Sequence, residues 1–290
     1  MSARIIDGKA IAALVRSELG ARVDSLRSRG VVPTLAVVLV GDDPASAVYV
    51  RNKAKAARSI GIEDRTLRLP ADTSRQKLIE VVDRLNRDVD VHGILVQLPL
   101  PAGLDAEAII ARIDPAKDVD AFHPENVGRI MLGRPRFLPC TPAAVREILR
   151  REKIATAGRH VVIVGRSDIV GRPLANILLW RGASGDATVT VCHSRTPHLE
   201  RFTRQAEILV AAVGVPELIR GDMIQEGAVV VDVGVNRVAD ATRRRGYRLT
   251  GDVLFDEAVE VASAITPVPG GVGPMTIAML LQNTVTSAEN

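Results

Sequence analysis

Short apolar, β-branched runs recur along the chain between stretches of helix length: TLAVVLVG (34–41), VHGILVQ (91–97), HVVIVG (160–165), ATVTVC (187–192), EILVAAVG (207–214) and AVVVDVG (228–234). Such runs read as strands buried on both faces, and strands alternating with helices predict parallel βαβ units. The expected helices cover 8–29, closed by Gly30, then 44–60, closed by Gly61, then 73–87. From 114 to 142 the texture changes to DPAKDVDAFHPENVGRIMLGRPRFLPCTP, rich in Pro, Gly and Asp, which reads as functional loops leading into a linker. A helix at 142–152 follows, and the alternation restarts. A chain of 290 residues is long enough for two cores. The expected fold is therefore α/β: two α/β domains with a cleft between them, the second a Rossmann-like parallel sheet. The first is expected to span 1–145 plus a returning C-terminal helix at 274–290, with Pro274 at its first position, and the second 146–273.

The stretch GDDPASAVYVRNKAKA (41–56) follows the first of these strands. Asp43 is a good N-cap and Pro44 suits the first helical position, so Tyr49 and Lys53, four residues apart, share one helix face. In open α/β sheets ligands bind outside the carboxyl ends of the strands, and this pair is placed there. On the residues alone, a solvated lysine with a tyrosine packed along its stem is the ordinary case.

In the second half, VVIVGRSDIVGRPLANILL (161–179) reads as a buried strand, a glycine loop and a helix, the context in which backbone N–H groups receive a pyrophosphate. Its spacing is neither that of GxGxxG, since Ser167 takes the second glycine's place, nor that of a P-loop, since Gly165 and Gly171 stand too far apart. A plain tight turn remains open on spacing alone. An NAD-preferring site puts an acid after the next strand to hold the ribose 2′-hydroxyl. Here that strand runs into His193, Ser194, Arg195 and Thr196 instead. With Arg166 in the loop, the arrangement suits a 2′-phosphate and therefore NADP.

Net charge is +4, and the basic residues are spread among acids except at Arg243, Arg244 and Arg245. Aromatic residues make up 2% of the chain, too few for stacking on bases, so an anionic small ligand fits better than nucleic acid. Cys140 and Cys192 form no CxxC pair, so neither a disulfide framework nor a metal site is expected. MSARIIDGK has no apolar signal core and no run reaches the length of a membrane span, which predicts a cytoplasmic protein without a membrane partner.

YVRNK (49–53), GILVQLPLP (93–101), KDVDAFHPENVG (117–128), PCTP (139–142), GRSDIVGRPLA (165–175) and TPVPGGVGPMT (266–276) together resemble, in order and over nearly the whole chain, the signatures of the bifunctional methylenetetrahydrofolate dehydrogenase/methenyltetrahydrofolate cyclohydrolase family. The resemblance implies oxidation of 5,10-methylenetetrahydrofolate with NADP as cofactor, then hydrolysis of the methenyl cation to 10-formyltetrahydrofolate. It makes 1–145 a folate-binding catalytic domain and 146–273 an NADP-binding one. Lys53 matches the family's catalytic lysine, Gln97 the residue that hydrogen-bonds and tunes it, and Tyr49 the residue that stacks on and positions the folate. Burial and a cationic substrate both favour a neutral lysine amine, the form that can take a proton.

Asp120 matches the acid that binds the amino-pyrimidine edge of the pterin, where a carboxylate accepts two parallel N–H bonds. Asp118 reads as structural. The residue after the acid is usually Gly in the family and is Ala121 here; glycine at that place allows φ above zero or close ligand approach. Pro269, Gly270 and Gly271 match the loop that lines the folate pocket. Gly165, Arg166, Ser167, Gly171, His193, Ser194 and Arg195 are the expected cofactor-binding residues. A homodimer formed through the cofactor domain is implied by the resemblance alone. A non-catalytic NADP-binding protein would be marked by loss of Lys53 or Asp120, and both are present. Tyr-x-x-x-Lys also occurs in short-chain dehydrogenases, but there the glycine loop precedes the pair, the reverse of the order here.

Overall fold

The computed structural model describes residues 2–243 and 246–290, apart from the side chain of Ala45. Arg244 and Arg245 of the basic run lie outside the described residues. In chain order, the first half carries β1 (Arg4–Ile5), α1 (Gly8–Ser28), β2 (Thr34–Val40), α2 (Pro44–Arg58), β3 (Glu63–Leu69), α3 (Arg75–Arg87), β4 (Gly93–Val96), α4 (Ala106–Ile110) and α5 (Pro124–Met131). The second half carries α6 (Cys140–Arg151), β5 (His160–Val164), α7 (Gly171–Leu179), β6 (Thr188–Cys192), α8 (Glu200–Thr203), β7 (Ile208–Ala211), β8 (Val229–Asp232), β9 (Asn236–Ala239), β10 (Tyr247–Thr250), α9 (Phe255–Val261), β11 (Ala264–Ile265) and α10 (Val272–Glu289). The chain divides into two compact units, 13–140 with 277–290, and 1–12 with 141–276.

The 13–140 unit is built on a three-stranded parallel sheet in the order β3-β2-β4. Every residue of the central strand β2 is buried. Ala36, Val38 and Val40 pack with Leu78, Val81, Val82 and Leu85 of α3 in one apolar cluster. Helix α2 starts as its sequence dictates, with the Asp43 carboxylate accepting from Ser46 N–H at 2.6 Å and Pro44 at the first position. It ends just before Gly61, which turns the chain at φ +82°.

The 1–12/141–276 unit carries a six-stranded sheet in the order β1-β11-β8-β7-β5-β6, with parallel pairing throughout, and a separate β9–β10 hairpin. The order turns at β5, whose neighbours are β6 on one side and β7 on the other. In doubly wound sheets such a reversal opens the ligand crevice at the carboxyl ends. Among the described residues no helix is long and apolar enough to cross a membrane.

The expected parallel α/β architecture is present, with corrections of detail. Residues 1–12 group with the six-stranded unit because Arg4 and Ile5 pair with Ala264 and Ile265. The unit boundary falls at 140/141 rather than near 145, and the return at 276/277. Within the stretch read as loops stands α5, capped by His123, whose Nδ1 accepts from Glu125 N–H at 3.0 Å, and anchored by buried Asn126 and Ile130. Helix α10 begins at Val272, so Pro274 is its third residue rather than its first. A proline is still tolerated in that first turn, where N–H groups have no intrahelical partner.

Candidate active site

In the three-stranded unit, Lys53 and Gln97 are brought together by adjacent parallel strands. Gln97 directly follows β4, and its backbone N–H donates to Val38 O of β2 at 2.9 Å. Lys53 stands on α2, the helix that follows β2. Its Nζ donates to Gln97 Oε1 at 3.1 Å. The amide end of Gln97 is fixed as well, because Nε2 donates to Leu98 O at 2.7 Å. Only the oxygen of Gln97 therefore faces the lysine, so this contact consumes one lysine N–H and leaves the remaining valences of the nitrogen for a ligand. Tyr49, one turn earlier on the same helix, is 44% exposed, an unburied ring available for stacking.

Asp120 reaches the same unit from the loop after α4. Gly93 allows this loop to run beside β4, since a Cβ there would stand 2.9 Å from Val119 Cγ1. Ile94 N–H donates to Lys117 O at 2.7 Å, which fixes the loop's register. Asp118 is buried and structural as expected: it accepts from His123 N–H at 2.8 Å and from Asn126 Nδ2 at 2.9 Å. Ala121, the residue in the family's glycine place, is buried at φ +59°. The loop thus takes the left-handed conformation that glycine adopts freely, and it does so with a methyl group.

The carboxylate of Asp120 has a partner that sequence reasoning missed. Cys140 Sγ donates to Asp120 Oδ1 and to Val119 O, each at 3.5 Å. Asn283 of α10 clamps the same turn, its Nδ2 donating to Val119 O and Leu138 O, each at 2.8 Å. The available signal was the position of Cys140 within PCTP, itself one of the blocks that carry the resemblance. Burial pushes the Asp120 carboxyl above the usual carboxylate range, while the Lys53 charge and the Cys140 thiol pull it down. Burial, then the neighbouring Asp120 charge, pushes the Cys140 thiol well above its ordinary range, so it serves as a donor and not as a thiolate.

The cofactor-binding candidates lie in the other unit, at the carboxyl ends of β5 and β6. Gly165 ends β5 at φ +133°, and a Cβ on it would stand 2.1 Å from Ala212 O. A Cβ on Gly171 would stand 2.1 Å from Gly165 O, so the loop closes on its own backbone before α7 begins. Gly165 N–H donates to Cys192 O at 2.9 Å, tying the loop to the end of β6. Ser167 Oγ accepts from Val170 N–H at 3.2 Å within the loop. After β6, His193 Nδ1 accepts from Arg195 N–H at 3.1 Å, leaving the side chains of Ser194 and Arg195 exposed, as is that of Arg166. No acid occupies this end of β6. A glycine loop that admits no side chain, flanked by exposed arginines, fits a dinucleotide with an extra phosphate.

Pro269, Gly270 and Gly271 also belong to the six-stranded unit, in the loop between β11 and α10. Gly270 has φ +122°, and a Cβ on Gly271 would stand 2.7 Å from Thr266 Cβ. Gly8 closes against this loop, since a Cβ there would meet Gly271 O at 1.9 Å. The structure therefore brings Lys53 to Gln97 and Asp120 to Cys140 in one unit, and gathers the cofactor candidates in the other.

Known proteins share this sequence and fold. Residues 6–120 match the model of the tetrahydrofolate dehydrogenase/cyclohydrolase catalytic domain, and residues 139–290 that of its NAD(P)-binding domain. The chain belongs to that family. It is 57% identical over 287 residues to the bifunctional protein FolD 1 of Myxococcus xanthus, covering 99% of this chain and 98% of that one. Among solved structures it is similar to the FolD dehydrogenase/cyclohydrolase of Campylobacter jejuni, with a TM-score of 0.94, 48% identity and 100% and 99% of the two chains covered. The FolD of Trypanosoma brucei, solved with NADP cofactor and an inhibitor, matches with a TM-score of 0.94 at 44% identity, covering 100% of this chain and 98% of that one. Membership gives this chain an NAD(P)-binding domain of Rossmann-like type and a catalytic domain.

Proposed function

We propose that this protein oxidises 5,10-methylenetetrahydrofolate to the 5,10-methenyl cation with NADP and hydrolyses that cation to 10-formyltetrahydrofolate. The observation that carries the reading is the Lys53–Gln97 hydrogen bond, with the Gln97 amide locked so that its oxygen faces the amine. Tyr49 offers its ring to the folate, and Asp120 offers two acceptor oxygens to the amino-pyrimidine edge. The Cys140 thiol holds one of those oxygens and leaves the other free to turn to the ligand. Pro269, Gly270 and Gly271 offer a loop whose backbone a ligand can approach closely.

NADP, when bound, supplies the hydride acceptor for the oxidation. The chain's task in that step is orientation: the Gly165–Gly171 loop receives the pyrophosphate, and Arg166, Ser194 and Arg195, with His193 fixing their turn, hold the 2′-phosphate. In the hydrolysis, water forms a bond to the methenyl carbon and loses a proton. The Lys53 amine takes that proton directly or through a second water, then returns it to the ring nitrogen as the carbon–nitrogen bond breaks. Gln97 keeps the amine aimed.

A reducing, cytoplasmic setting is supported by the two free, buried cysteines. A homodimer through the six-stranded unit is supported by the outer edge of β6, which has no strand partner among the described residues and where Val191 is exposed. The test of the activity is spectrophotometric. The purified protein should form methenyltetrahydrofolate from the methylene compound with NADP, and should speed its decay when the cation is supplied alone. Formation without accelerated decay would leave a dehydrogenase only.

A further inference from the structure

Two aspartates with no part in this chemistry lie buried at the carboxyl end of the six-stranded sheet, Asp232 3% exposed and Asp252 0%. Asp232 ends β8; its Oδ1 accepts from Gly234 N–H at 2.9 Å and Asp252 N–H at 3.0 Å, and its Oδ2 from Val253 N–H at 2.9 Å. Asp252 Oδ2 accepts from Val213 N–H at 2.6 Å and Gly214 N–H at 2.9 Å, and its Oδ1 from Asn236 Nδ2 at 2.9 Å. The glycines on either side exist to make room for these groups. A Cβ on Gly234 would stand 2.2 Å from Asp252 Oδ1, and one on Gly251 1.7 Å from Asp232 Oδ2.

A buried carboxylate is expensive unless its oxygens are fully engaged, and here every one of them is. What the donors to Asp252 share is their place. Val213 and Gly214 follow β7, and the carbonyl of the preceding Ala212 is the group that lies against Gly165. Consecutive N–H groups at a turn where Gly214 takes φ +70° make a small anion-binding concavity, and Asp252 fills it. In a doubly wound sheet the adenosine half of a dinucleotide lies over the strand after the glycine loop, here β6, and the other half extends past the reversal toward β7 and β8.

We propose that Asp252 is a positioning residue for the nicotinamide half of the cofactor, setting the Val213–Gly214 turn from behind without touching the ligand. The proposal rests on the reading of Gly165–Gly171 as the dinucleotide loop. It separates Asp252 from residues that merely hold the fold, because its effect belongs to one of the two reactions.

The experiment compares both reactions in the intact protein. Asp252→Asn keeps the shape but sets an amide NH2 against the Asn236 amide and replaces charge-assisted bonds by neutral ones. Oxidation should lose roughly 10-fold in kcat/KM, chiefly through KM for NADP. Hydrolysis of methenyltetrahydrofolate supplied without NADP should be unchanged. Asp252→Asn combined with Asn236→Asp puts an acceptor opposite a donor again and should recover most of the loss. Wild-type oxidation by Asp252→Asn, or a parallel fall of both activities with a lowered Tm, would overturn the proposal. If position 252 does not tolerate change, Asn236→Ala removes one donor from a partly buried site and should raise KM for NADP with hydrolysis intact; absence of that split overturns the proposal equally. A wild-type protein with no NADP-dependent oxidation would fail the reading of the glycine loop itself, a different result from any of these.

Discussion

Lys53 and Arg166 are both basic side chains placed beyond the carboxyl end of a parallel strand, yet one is held and the other is exposed. Lys53 is partly buried and bonded to Gln97, a residue whose own amide is locked. Arg166 stands on an exposed loop whose shape comes from Gly165 and Gly171 pressed against carbonyl oxygens. The difference fits the tasks proposed for them. A proton carrier must be fixed to within hydrogen-bond reach of the reacting atoms. A phosphate binder needs only to be available, with the backbone doing the positioning.

The comparison is broken most directly at Lys53. Lys53→Gln keeps length and polarity but cannot carry a proton, so hydrolysis should fall by about 10²- to 10⁴-fold, the usual contribution of a positioned acid or base. Oxidation should fall less, and methenyltetrahydrofolate should accumulate in the progress curve. A variant that hydrolyses the cation at the wild-type rate would return Lys53 to the ordinary surface lysine.

Arg166→Ala tests the exposed side. Charge-assisted hydrogen bonds to a phosphate contribute about 1.5 to 3 kcal/mol, so NADP affinity should fall roughly 10- to 150-fold. NAD, which lacks the phosphate, should be affected little, and hydrolysis not at all. Equal use of both cofactors by the unaltered protein would refute the reading before any variant is made.

A third measurement concerns a buried carboxyl at the end of β8, in the unit that carries Arg166. Burial, opposed by the N–H groups of Val253, Asp252 and Gly234 and reinforced by the Asp252 charge, pushes the Asp232 carboxyl up to about 7. Its folded-state value is therefore raised above the unfolded one of about 3.9. The sign follows: the stabilisation is full below pH about 4 and is lost as pH rises toward 7. Between pH 5.5 and 6.5 this group alone should lower unfolding stability by about 1.4 kcal/mol, a slope absent from Asp232→Asn. Trp180, the single tryptophan, lies in the same unit and reports its denaturation. Parallel pH profiles for the two proteins would mean that Asp232 is ionised throughout.

The same contrast explains what could be read from the sequence. The buried strands β2, β5, β7 and β8 were legible because residues enclosed on both faces leave continuous apolar runs. β3 was not, because EDRTLRL is the edge of its sheet and only partly buried, so it keeps its charges. β1 and β11 are two residues each and are defined by pairing across the chain, which leaves no local pattern. Lys53, Gln97 and Asp120 could be picked out as candidates through the order of sequence blocks. Cys140 and Asn283, whose meaning lies in bonds to the turn at Val119 and Asp120, became visible only with the fold.

The smallest expected effect is at Ala121, where the resemblance and this chain part. A left-handed residue with a Cβ costs about 1 to 2 kcal/mol, which Ala121→Gly would relieve. Against that stand the buried methyl, about 0.8 kcal/mol, and the greater freedom of glycine in the unfolded chain, about 0.4 to 1 kcal/mol. These nearly cancel, so Tm should move little. Asp120 should stay in place, because the Cys140 thiol holds its carboxylate and Asn283 holds the carbonyl of Val119 just before it. KM for the folate should then be unchanged in both reactions. Ala121→Val is the sharper counterpart: a β-branched side chain at φ +59° in a fully buried position has neither the backbone freedom nor the room. It should lower Tm and raise KM for the folate while leaving KM for NADP alone, since the loop and the cofactor residues belong to different units. A large rise in folate KM on Ala121→Gly would instead show that the methyl group, and not the Cys140–Asn283 clamp, keeps Asp120 aimed.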